Sequence, residues 1–161
     1  MSSLSFDKRH IRDYLFSGIL AAAAYTAPLV FLLYNRWYEN LYFLFFGNFL
    51  FMLVIGIYAG ILRNREFEKR KSVSMLISGH LATAAGVILS VIFSIVTIYS
   101  LSPAVFHPVF STDDMVQDRL PELMDGYKHL SWMVVINALV GNTVVGSFIS
   151  LMISYSTKNR E

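Results

Sequence analysis

Hydrophobic positions along this chain gather into four long runs without a charged residue: Tyr14 to Tyr34, Leu41 to Leu62, Ser72 to Ser102 and Leu130 to Thr157. A helix rises about 1.5 Å per residue, so each run is long enough to cross a hydrocarbon layer of about 30 Å. The pattern predicts an all-α fold, an integral membrane antiparallel four-helix bundle, with spans at about 14–34, 41–62, 73–101 and 130–155. Residues 1–161 form one domain, because the spans consume most of the chain and leave no room for a separate soluble unit.

The basic residues between the runs fall mainly on one side. Lys8, Arg9 and Arg12 precede the first span; Arg63, Arg65, Lys69, Arg70 and Lys71 link spans two and three; Lys158 and Arg160 follow the fourth. The other side carries only Arg36, Arg119 and Lys128, so the positive-inside rule places both termini in the cytoplasm of a plasma membrane, the inner membrane in a bacterium. The first run follows Lys8 and Arg9 as a signal peptide would, but its 21 residues from Tyr14 to Tyr34 exceed the roughly 7–15 of a cleaved apolar core, which predicts a retained span. Trp37 and Trp132, with Tyr34, Tyr38, Tyr42, Tyr99 and Tyr127, stand at the expected outer boundaries, where amphipathic rings settle.

Two extramembrane segments have their own character. The basic link after span two suits anionic headgroups, and anchoring of topology is the simpler role. The outer segment 103–128 holds Asp113, Asp114, Asp118, Glu122 and Asp125. Ser111 or Thr112 there begins a short amphipathic helix with Val116, Leu120, Leu123 and Met124 on one face, broken near Pro121. The spacing of its acids is that of a solvated face and matches no calcium loop.

Composition narrows the classes. Cysteine is absent, which excludes disulfides and thiolate metal sites. The net charge of +2 comes from loops flanking apolar spans, so the expected partners are the lipid bilayer and a membrane protein complex or a second copy of the chain, and not nucleic acid. No metal-ligand spacing, phosphate-binding glycine loop or nucleophile with a local base is present, and His80 and His129 lie at opposite depths, unable to share a haem. The reading is therefore a non-enzyme without cofactors, catalytic residues or metal sites.

Inside the spans no Asp, Glu, Lys or Arg occurs. The polar candidates are His80, Thr83 and Ser90 in span three and Asn137 and Asn142 in span four. Antiparallel spans put His80 at the depth of Ser147 and Ser150, and Asn142 at that of Ser90, as interhelical hydrogen-bonded pairs. The alternative is a polar path through the membrane lined by the same side chains. Small residues recur every fourth position, at Ser78, Ala82 and Gly86 in span three, at Gly146 and Ser150 in span four, and at Gly56 and Gly60 in span two. Such stripes allow close backbone approach and predict that spans three and four are neighbours.

With its basic link after span two, small-residue third span, acidic stretch Asp118 to Met124 and last span from Gly146 to Ser154 before a basic tail, the chain resembles small four-span bacterial membrane proteins that carry a domain of unknown function. The resemblance is one of architecture. It implies no activity and brings no functional residue with it. The expected function is that of a non-catalytic accessory, anchoring or assembly subunit, or a homo-oligomeric scaffold; the alternative is a small transporter or channel with its path between spans three and four.

Overall fold

A computed structural model describes residues 8–35, 40, 42–64, 72–101 and 130–158. The outer segment 103–128, where the sequence predicts a short amphipathic helix, the link residues 65–71, Trp37, Tyr38, Tyr127 and His129 lie outside the described residues. Four long helices account for nearly all the rest. They are α1, Lys8–Tyr34; α2, Tyr42–Asn64; α3, Ser72–Leu101; and α4, residues 130–158, in which a π-helical turn, Asn137–Gly141, precedes the α-helix Asn142–Lys158. Each contains an apolar stretch long enough to cross a membrane: Ile11–Tyr34, Tyr42–Arg63, Met75–Leu101 and Leu130–Ser156. Helix α1 starts ahead of its apolar run and continues through Pro28.

Close contacts fix the packing. Tyr25 meets Gly47 and the Phe31 and Phe43 rings lie 5.8 Å apart, so α1 and α2 are antiparallel. Ser150 meets Gly79 and Gly146 meets Thr83, so α3 and α4 are antiparallel. Gly18 touches Gly86, and Ala23, Ala27 and Val30 border one shallow groove with Phe93, Val96 and Thr97, so α1 and α3 run the same way. Gly141 sits against Asn48 and Ile149 against Gly56, making α2 and α4 parallel as well. Around the bundle the order is α1, α2, α4, α3. The expected proximity of α3 and α4 is present, but the most extensive interface joins α1 to α3.

The core has two apolar clusters. One gathers Ala21, Tyr25, Phe51, Ile55, Tyr58, Leu62, Ala82, Val87 and Ala138; the other gathers Leu29, Leu32, Leu33, Leu44, Ile98, Leu130 and Val134. Polar residues are buried with them, among them Asn48, Thr83, Ser90, Ser94, Asn142 and Ser150, whereas Phe45, Phe49, Ile57, Val144, Phe148 and Leu151 are exposed. A soluble protein rarely exposes so many large apolar side chains on its helices.

Helix α4 shows how local geometry serves this arrangement. Its buried positions are Leu130, Val134, Ala138, Asn142, Gly146, Ser150 and Ser154, every fourth residue throughout. In a straight α-helix each such step drifts by about 40° around the axis, and the π turn absorbs part of that drift by accommodating an extra residue. The same turn brings Asn137 and Asn142, five positions apart, toward the interior together.

Candidate functional site

The principal polar feature is a knot joining α1, α2 and α4 where the two apolar clusters meet. The Asn48 side-chain amide donates from Nδ2 to Asn137 Oδ1 at 3.0 Å, and Asn137 Nδ2 returns a bond to Asn48 Oδ1 at 3.3 Å. Asn137 Nδ2 also reaches Tyr25 Oη at 3.1 Å and the Leu44 carbonyl at 3.4 Å. Its two hydrogens are thus shared among three acceptors. The Tyr25 hydroxyl closes the group by donating to the Val134 carbonyl at 3.4 Å.

Glycine makes room for the knot on two sides. A Cβ at Gly141 would lie 2.6 Å from Asn48 Nδ2, and one at Gly47 would lie 2.8 Å from the Tyr25 carbonyl. Interhelical amide bonds within an apolar environment contribute roughly 0.6–2 kcal/mol each, so the knot can pin three helices without any ionised group. All its members are neutral amides, hydroxyls and carbonyls, suited to cohesion and recognition of uncharged partners and poorly suited to acid–base chemistry.

Toward the cytoplasm-facing end expected from the sequence, the packing centres on Phe51, which is completely buried. Its ring lies between two glycines: Cε2 would be 2.9 Å from a Cβ at Gly86 and Cε1 3.1 Å from one at Gly146. Gly18 and Gly86 bring the α1 and α3 backbones together, since a Cβ at Gly18 would lie 2.9 Å from the Gly86 nitrogen. Between α3 and α4 the fit is of side chain into glycine. Thr83 occupies the slot at Gly146 and Ser150 the one at Gly79, where Oγ would be 2.7 Å from an added Cβ.

The sequence-derived candidates separate into distinct surroundings. His80 is half-buried, its Nδ1 2.9 Å from the Leu76 carbonyl of its own helix. Thr83 is buried and donates to Gly79 O at 2.9 Å, and Ser150 donates to Gly146 O at 2.8 Å. The expected His80 to Ser147 or Ser150 bonds are therefore not formed, because the hydroxyl and the imidazole satisfy themselves on the preceding turn. Nor is the Asn142–Ser90 bond: Asn142 Oδ1 and Nδ2 and Ser90 Oγ are buried with no hydrogen-bond partner among the described residues, as is Ser94 Oγ. Asn137 alone among the five joins the knot.

The small-residue positions also divide. Ala82 and Gly86 form part of the contact with α1, as Gly18 approaches Gly86 N and the Ala82 carbonyl. Ser78 is half-buried, and Gly56 accepts the Ile149 side chain. Gly60 stands apart from close packing, since a Cβ there would meet nothing within 4 Å. The residues that sequence reasoning missed are Asn48, Tyr25, Gly79, Gly47 and Gly141. The available signal was Asn48 itself, an amide amid the apolar run of span two, beside a glycine.

Among the described residues no three His, Asp or Glu side chains group as a metal site. No family model matches the chain, and no curated protein or solved structure shows significant similarity to it.

Proposed function

We propose that this chain is an integral membrane protein of the plasma membrane, of the bacterial inner-membrane kind, with both termini cytoplasmic. It acts without catalysis as an accessory, anchoring or assembly subunit, or as a homo-oligomeric scaffold. The membrane reading is supported by the four long apolar helices and by the many large apolar side chains they expose, while Asn48, Thr83, Ser90 and Asn142 are buried. The orientation follows from the basic residues at 8–12, 63–71 and 158–160.

The observation carrying the non-catalytic reading is the closure of the Tyr25–Asn48–Asn137 knot upon itself. Its polar groups serve cohesion between helices, and the outward apolar faces of α2 and α4 are left for lipid or another membrane protein. Affinity capture from native membranes in mild detergent, with native mass measurement, tests it. A stoichiometric protein partner or a defined homo-oligomer is expected; a monomer without a partner contradicts it.

A second reading, a transporter or channel between α3 and α4, draws support from the unpartnered Ser90 and Asn142. It predicts solute flux in proteoliposomes that changes in His80→Ala and Asn142→Leu while the folded fraction stays constant. Absence of flux across ion and small-solute gradients removes it.

A further inference from the structure

The layer of the bundle one turn outward of the Phe51 ring contains polar groups that packing alone does not explain. Gly86 on α3 and Gly146 on α4 face opposite edges of that ring. Because α3 and α4 are antiparallel, the next turn outward bears Ser90, four residues after Gly86, and Asn142, four residues before Gly146. On α1 the corresponding step from Gly18 reaches Ala22, which adds only a methyl group. Asn142, Ser90 and Ala22 are all completely buried.

Neither polar atom of the Asn142 side chain, nor the Ser90 hydroxyl, has a hydrogen-bond partner among the described residues. An amide in an apolar interior is unfavourable unless its donors and acceptor are met, and an apolar side chain of similar size would avoid that cost. The sequence nevertheless places amide and hydroxyl in the same layer. Both groups donate and accept, so their complement is a molecule that does the same. With no ionisable side chain in the layer, an ion is disfavoured.

We propose that Asn142 and Ser90 bind a buried water molecule between α3 and α4, in the layer outward of Phe51. This goes beyond the assembly role and does not depend on it. Bound there, the water gives Asn142 its missing partners and links α3 to α4. It is an isolated structural water, held by amide and hydroxyl as buried waters are held by groups the fold leaves unsatisfied.

The test uses the isotopically labelled full chain in lipid bilayers and solid-state NMR transfer from water to side-chain amides. The Asn142 amide is expected to receive water polarisation about threefold faster than that of Asn137, whose hydrogens already meet protein acceptors, and Ser90→Ala is expected to reduce the Asn142 transfer about twofold or more. Equal transfer to the two amides in the wild-type protein overturns the proposal, whatever the stability of the variant. A bilayer structure with Asn142 bonded directly to a protein group overturns it too; ordered density within hydrogen-bond distance of both Asn142 and Ser90 supports it.

Discussion

Replacing Gly146 by alanine adds one carbon where α3 and α4 touch. The new Cβ would overlap Thr83 Cγ2, lie 2.7 Å from Thr83 Oγ1 and lie 3.1 Å from Phe51 Cε1. Neither neighbour yields easily: Phe51 is completely buried, and Thr83 is held by its bond to Gly79 O. Overpacking of a filled core costs about 1–3 kcal/mol. Rotation of Thr83 forfeits a bond with a net contribution of about 0.5–1.5 kcal/mol. Alanine recovers about 1 kcal/mol of helix propensity over glycine. The net destabilisation is about 2 kcal/mol, a fall in Tm of about 4–8 °C for a chain of this size. The chain has no cysteine, so thiol-reactive dyes have no native reporter, and thermal unfolding in detergent is followed by tryptophan fluorescence or circular dichroism. Thr83→Ala removes both obstructing atoms, so Gly146→Ala combined with Thr83→Ala should be more stable than the sum of the single changes implies, by about 1 kcal/mol or more. Equal or greater stability of Gly146→Ala, or strict additivity in the cycle, refutes this account of the interface.

Four further changes separate the knot from its surroundings. Asn48→Ala leaves Asn137 Oδ1 without its donor, while Asn137 Nδ2 keeps Tyr25 Oη and the Leu44 carbonyl, and should destabilise by about 1–3 kcal/mol, measured by the same melts. Tyr25→Phe deletes only the hydroxyl and should cost about 1 kcal/mol, visible as a smaller Tm loss than that of Asn48→Ala. Gly60→Ala, with open space at the new Cβ, should be neutral or stabilising by up to about 1 kcal/mol, whereas Gly79→Ala, driven against Ser150, should lower Tm. A ranking in which Gly60→Ala is the more harmful of these two would contradict the register of α3 and α4.

Much of the fold is legible in the sequence because span length and absence of charge are properties of single segments. The runs at 14–34 and 130–155 find their counterparts in α1 and α4 with small extensions, since Lys8 to Asp13 and the residues up to Lys158 continue the helix beyond its apolar part. What the sequence conceals is which faces meet. The Ser78, Ala82 and Gly86 stripe suits close approach to any helix, and α1 rather than α4 takes Gly86, while α4 is met by Gly79 and Thr83. Small residues set how near a neighbour can come without specifying which neighbour it is.

The polar site is legible in type and only partly in pairing. Asn137 reads as a polar residue inside a span with no assigned partner, and Asn48, to which it bonds, lies 89 positions away on a helix that depth matching between spans three and four leaves out. The π turn is equally hidden. Asn137 and Asn142 are five apart, a spacing that an α-helix places on different faces, and only the widened turn lets both point inward.

Cysteine accessibility tests most directly the central claim of a bundle embedded in the membrane and sealed within, with both termini on the cytoplasmic side. In a chain with no native cysteine, single Ser3→Cys, Asn159→Cys, Asn40→Cys and Ser90→Cys variants are treated in oriented membrane vesicles with a charged, membrane-impermeant thiol reagent. The account predicts labelling of positions 3 and 159 only from the cytoplasmic face, of position 40 only from the opposite face, and of position 90 from neither while the protein stays folded. Labelling of position 90 from either face, or of positions 3 and 159 from opposite faces, would contradict it.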